Sequence, residues 1–157
     1  RKQFKKNPTG LKLDVDNNLN EYINSLAYLD EKLSKTNSKM ILLAPLPEFE
    51  LFYKEICTPQ WFRKQKSLSK DCFQANKKSL VEERAHIMEA LNEMVSKSSN
   101  IFLYDTFPVL CDKKFCFNFK YNRFLYMDKD HLSAAGVEFI YQDFLNFLKV
   151  NKLDLYL

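Results

Sequence analysis

The sequence predicts an α/β domain built on a largely parallel sheet, and three observations carry that prediction. Residues 19–33 and 80–95 repeat apolar side chains at helical spacing, and a third such stretch follows Ser133. Short, continuously apolar runs at 40–44 and 101–104 lie between them, as expected of strands in a parallel sheet. The order is therefore helix, strand, helix, strand, extended region, helix. At 157 residues, with 46% hydrophobic and 15% aromatic side chains, the chain has the size of one domain and ample material for a core.

Taken in order, residues 1–18 are polar, contain Pro8 and Gly10, and read as an irregular entry segment with a short extended piece at 11–15. Leu19, Tyr22, Ile23, Leu26, Leu29 and Leu33 then form one stripe of an amphipathic helix, with Glu21, Asn24, Asp30 and Lys32 off it. The run at 40–44 reads as a strand covered on both faces, closed by Pro45 and Pro47. Residues 48–75 are irregular, with a short helix predicted around 52–66 that holds Trp61; a connection of this length is usually functional or stapled. A second long helix carries Leu80, Val81, Ala85, Met88, Leu91 and Val95, with Glu82, Glu83, Arg84 and Glu89 on its wet side and His86 as a structural or surface residue. Residues 115–120 and 124–127 either pair or form one irregular extended region. Ser133 is an N-cap for a last helix to about Val150, whose apolar face is Val137, Ile140, Tyr141, Phe144 and Leu148.

Composition narrows the function. The formal charge of +4 comes from 24 basic and 20 acidic side chains spread along the chain, clustered only at Arg1, Lys2, Lys5 and Lys6. Without a basic stripe or a binding motif this does not point to nucleic acid, and the cluster reads as a solvated tail or a segment beside an anionic membrane surface. The longest apolar stretch, residues 40–46, is far below the roughly 18 residues of a membrane span. The chain opens on Arg1 rather than Met, so the expectation is an excised domain or processed product. Cys57, Cys72, Cys111 and Cys116 lack zinc-site spacing and histidine partners, and local closure favours Cys57 with Cys72 and Cys111 with Cys116. Four cysteines allow three connectivities, and four reduced thiols are the alternative. Oxidised pairs would place the domain outside the cytoplasm.

The densest chemistry lies at Asp128, Asp130 and His131, between an apolar run and a helix start. Acyl transfer by a hydroxyl nucleophile needs a base and a carboxylate that fixes the base's tautomer. Asp128, three residues before His131, can converge on its Nδ1 and leave Nε2 to a nucleophile, whereas Asp130, adjacent to the histidine, is expected to point elsewhere. The competing reading makes both aspartates turn residues and His131 a polar cap.

The segment Tyr126-x-Asp128-x-Asp130-His131-Leu132-Ser133-x-x-Gly136 resembles the C-terminal catalytic block of the SGNH, or GDSL-like, hydrolase superfamily. More narrowly it resembles the extracytoplasmic SGNH domains fused behind membrane acyltransferases that O-acetylate bacterial surface polysaccharides. The strand into Ala44-Pro45-Leu46-Pro47-Glu48, the Cys57 and Cys72 pair, and Asp105-Thr106-Phe107-Pro108 leading to Cys111 carry the same resemblance, over about residues 38–147. It implies a three-layer, flavodoxin-like fold with a mostly parallel sheet, here without its N-terminal strand. It implies His131 as base, Asp128 as its orienting acid, no cofactor and no metal. The partners implied are a glycan acceptor and an acyl donor delivered by a membrane acyltransferase domain, with a periplasmic location and a membrane link only through the parent chain.

One departure stands out. The family's nucleophile lies in Gly-Asp-Ser, and neither glycine of this chain, Gly10 or Gly136, precedes a serine or an Asp-Ser. The serine is therefore expected outside this chain, the sequence being the C-terminal part of a domain. A degenerate relative is the alternative. The alternative from another class of function is a non-catalytic glycan-binding module using Trp61, Tyr53 and Phe62, and within the enzyme class it is a secreted carbohydrate esterase.

Overall fold

The computed structural model describes residues 15–49 and 73–153. Helix α1 (Val15–Thr36) buries Leu26 and packs Ile23 and Leu33 inward, while Tyr22 and Leu29 of the predicted stripe stay largely in solvent. Its start at Val15 corrects the irregular entry segment, whose last four residues are helical; residues 1–14 lie outside the described part. The helix ends because Asn37 turns left-handed at φ 52°, letting Ser38 N–H donate to the Leu33 carbonyl at 3.0 Å. Asp30, placed off the stripe by its polarity, accepts from Ser98 Oγ at 2.6 Å and from Asn100 Nδ2 at 3.0 Å. It ties the helix to the entry of the next strand pair.

That pair is β1 (Met40–Leu43) and β3 (Ile101–Tyr104), parallel and in register from Met40 with Ile101 to Leu43 with Tyr104. Met40 N–H donates to Asn100 O at 2.8 Å and Ala44 N–H to Tyr104 O at 2.9 Å. Met40 and Leu42 face a core of Leu26, Leu91, Met94 and Ile101. Ile41 and Leu43 do not: they are 37% and 49% exposed and line an open apolar groove with Tyr104, Val137, Tyr141 and Phe144. The expected cover on both faces is thus present on one. Val137, Ile140, Tyr141 and Phe144 of the last helix line the groove on this face, and among the described residues no strand adjoins the other side of β1.

The remaining strands are antiparallel and short. Strand β2 (Gln74–Asn76) pairs with β4 (Phe115–Phe117), and β5 (Phe119–Lys120) pairs with β6 (Arg123–Phe124). The parallel element is therefore the helix-packed part of a mixed α/β architecture. The pairing anticipated between residues 115–120 and 124–127 exists, confined to 119–120 with 123–124 around a turn of Tyr121 and Asn122. No helix among the described residues is long and apolar enough to cross a membrane.

Helix α2 (Lys77–Lys97) starts on Asn76, whose side chain accepts from Lys78 and Ser79 N–H. It buries Leu80 in one core and Leu91 and Met94 in the other, so it bridges the two. Between them sits Arg84, which the sequence placed on the wet side. Its guanidinium makes two 2.8 Å bonds to the Asp105 carboxylate and lies 3.3 Å over the Phe107 ring. Its side chain is only 14% exposed.

After Asp105 comes α3 (Phe107–Leu110), then the Cys111–Cys116 disulfide, as expected from local closure. Cys57 and Cys72, the helix around Trp61, and Tyr53 and Phe62 lie outside the described residues. The second core gathers Phe49, Leu80, Tyr104, Phe107, Leu110, Leu125, Tyr126 and Ile140 under the final helix, α4 (Ala134–Val150).

Helix α4 and the preceding chain meet without space for a side chain. A Cβ on Gly136 would lie 2.0 Å from the Leu125 carbonyl oxygen, which is backbone and cannot swing aside. Gly136→Ala is expected to lower stability by about 1–3 kcal/mol, the range for overpacking, seen as a lower urea midpoint at unchanged slope. Replacing both Cys111 and Cys116 by alanine is expected to cost about 2 kcal/mol from loop-closure entropy, measured by the same titration.

Candidate active site

The site is a loop that the chain closes on itself. Leu125 N–H donates to Asn118 O at 2.8 Å, Ser133 N–H to Leu125 O at 2.9 Å, and Met127 N–H to His131 O at 2.8 Å. Tyr126 and Leu132 form an antiparallel bridge between these bonds. Residues 125–127 and 131–133 therefore run side by side, and Asp128, Lys129 and Asp130 form the tip. The predicted strand at 124–127 is replaced beyond Phe124 by this closed loop, because the partners of its amides are its own residues 131–133 and Asn118.

Both ends of the loop are tied down. Ser133 Oγ donates to Phe124 O at 2.6 Å and accepts from Gly136 N–H at 3.1 Å, so the N-cap predicted from sequence also fastens the helix to the loop's beginning. Phe49 N–H donates to Lys129 O at 2.8 Å, and the Phe49 ring meets Tyr126 edge-on at 4.9 Å. The segment after β1 thus holds the tip from the other side. Glu48 lies 3.8 Å from Lys129 Nζ.

Within the tip, Asp128 Oδ1 accepts backbone N–H bonds from Asp130 at 3.1 Å and His131 at 2.8 Å. Both carboxylate oxygens lie 2.9 Å from His131 Nδ1. Asp128 is therefore a turn residue and the imidazole's partner at once, which joins two readings that the sequence left as rivals. Asp130 departs from expectation: its Oδ1 is 3.1 Å from the same Nδ1, because the turn folds the adjacent side chain back rather than away.

The electrostatics follow. Asp128 is held down to a pKa of about 2, first by the Asp130 N–H and then by the His131 N–H and ring. His131 is raised above its ordinary value, chiefly by its hydrogen bond to Asp128, then by the charges of Asp128 and Asp130. Nδ1 then carries the proton in both ring states. Nε2 makes no hydrogen bond among the described residues, and His131 is 69% exposed. Asp128, Asp130 and His131 could each turn one ligand atom to a cation, all within 4.8 Å, but such an ion would compete with the bonds that orient the ring.

Comparison with known proteins gives the family. The family model for the SGNH domain (fused to AT3 domains) matches residues 3–146. The chain belongs to that family. No curated protein and no solved structure matches it. In this SGNH domain the matched region spans the closed loop, Arg84 and the Asp105 to Cys116 segment, and it connects the chain to membrane acyltransferases through the AT3 fusion. Sequence reasoning missed Arg84 and the second carboxylate at Nδ1. The only signal for Arg84 would have been an unmatched Asp105 at the end of a buried strand.

Proton NMR titration of His131 is expected to give a midpoint above 6.5, the ordinary imidazole value. Asp128→Asn is expected to lower it, and Asp130→Asn to lower it less. A midpoint unmoved by Asp128→Asn would separate the two side chains in solution.

Proposed function

We propose that this SGNH domain carries the base and the orienting acid of an acyl transfer that O-acetylates a surface glycan of the bacterial envelope. In this reading the domain is periplasmic, held at the inner membrane by its parent protein, whose AT3 part delivers the acyl donor. The attacking serine is, in this reading, supplied from outside residues 1–157, because neither Gly10 nor Gly136 leads into Asp-Ser. The observation that carries the proposal is the contact of both Asp128 oxygens with His131 Nδ1 at 2.9 Å, which leaves Nε2 open.

The chemistry then runs through the imidazole. His131 Nε2 takes the proton of the serine hydroxyl as its oxygen attacks the donor's acyl carbonyl. Asp128 holds the Nδ1 proton in place and stabilises the imidazolium that forms. The tetrahedral species collapses as Nε2 returns the proton to the departing group, leaving an acyl-serine. A sugar hydroxyl repeats the attack with Nε2 as base, and the acyl group passes to the glycan. Ser133 is not a candidate nucleophile, since its hydroxyl is spent on Phe124 O and Gly136 N–H.

The sign of the pH dependence is set by His131. Its neutral form is the base, so transfer should rise with pH through the raised imidazole midpoint. In the full-length protein, His131→Gln is expected to reduce glycan O-acetylation at least about 100-fold, read as acetyl per sugar repeat by NMR of the isolated polymer. Acetylation at the parental level would sink the assignment.

A further inference from the structure

The hairpin turn between β5 and β6 carries a side chain that neither the fold nor the Asp128–His131 pair uses. Tyr121 is 83% exposed at φ 50°, followed by Asn122 at φ 61°. A two-residue turn with both positions left-handed favours asparagine or glycine, and a tyrosine there is sterically disfavoured. An aromatic ring is thus kept in solvent at a position where the backbone prefers glycine. The ring meets Phe139 of α4 at 6.1 Å between centroids and 45° between planes, which leaves an open notch rather than a stack.

That notch forms part of a cavity of about 260 Å³, also lined by Leu125, Lys120, Arg123 and Glu138. Its size is below the roughly 300–1,000 Å³ of pockets for drug-sized ligands and suits a single ring. Arg123 Nη1 and Glu138 Oε2 are bonded at 2.7 Å in an exposed pair, placing a donor group beside an acceptor group. Lys120 Nζ lies 4.5 Å from the Phe117 centroid and 5.4 Å from that of Phe139, so the cation stands over two rings at the edge of the cavity.

We propose that this cavity is a sugar subsite that takes a pyranose bearing a carboxylate, that is, a uronic acid residue. The C–H face of the ring lies on Tyr121 and Phe139, its hydroxyls meet Arg123 and Glu138, and its carboxylate meets Lys120. Two cations, Lys120 and Arg123, and one carboxylate, Glu138, line the cavity, so a carboxylate on the sugar brings the set to neutrality. The inference rests on the acceptor being a glycan and deepens that reading by naming the sugar class.

The test is binding, followed by proton NMR of the aromatic rings while the full chain is titrated with the methyl glycoside of galacturonic acid, its carboxylate free, and, separately, with methyl galactoside. Shifts at Tyr121 and Phe139 are expected with the galacturonate, at about tenfold tighter binding than with the galactoside. Tyr121→Gly should abolish those shifts at Phe139 yet melt no lower than the parent, since glycine accepts the left-handed turn. Lys120→Gln should erase the difference between the two sugars. No ring shift with galacturonate, equal affinity for both sugars, or parental binding by Tyr121→Gly would overturn the proposal. Because the readout is binding, its failure is distinct from loss or retention of acetylation in His131→Gln.

Discussion

The approach of Gly136 to the Leu125 carbonyl governs much of this structure. Helix α4 can lie against the loop only because residue 136 lacks a side chain, and the same carbonyl accepts the N–H of Ser133. Ser133 then caps the helix and holds Phe124, so the helix start, the end of β6 and the return strand of the loop are one hydrogen-bonded unit. The Asp128–His131 geometry is downstream of that unit. An exposed acid and imidazole in a free loop would lose each other to rotamer entropy, whereas here the backbone N–H groups fix the carboxylate before it meets the ring.

A second fastening sets where the unit sits. Arg84 joins the end of β3 to the middle of α2 through a bidentate bond to Asp105 and contact with the face of Phe107, and its Nη1 also approaches Pro45 O at 3.4 Å. Those two segments are the ones that leave the parallel strands toward the site. Phe49, a few residues past Pro45, carries the bond to Lys129. Displacing Arg84 would therefore act on the loop tip at a distance, through the chain rather than through charge. The SGNH family match spans all of these segments.

The sequence made the helices and the parallel strands legible, because burial imposes a period that composition alone displays. Leu26, Leu91 and Ile140 fall where a 3.6-residue stripe demands, and Ser133 announces the helix start. Arg84 was not legible: a charged residue on a helix looks solvated until a partner twenty-one positions away, Asp105, is brought to it by β3. Asp130 was misjudged because neighbouring side chains diverge in extended chain, and the turn that reverses this depends on backbone bonds to Asp128. The β5–β6 hairpin was legible as a pairing but not in its register. Its turn, Tyr121-Asn122, lacks the glycine that marks such turns, and the left-handed conformation is imposed by the strands around it.

Strand β1 has a further consequence. Amides alternate in direction along a strand, so those of Ile41 and Leu43 turn away from β3, and among the described residues they meet no neighbouring strand. Beside them lies the open apolar groove. Unpaired amides next to exposed branched side chains are a template for intermolecular β-pairing, with no charged side chain on those two residues to repel a second copy. Among the described residues the free edge of β1 is therefore the place where one more strand, from elsewhere in the chain or from another molecule, would extend the parallel sheet.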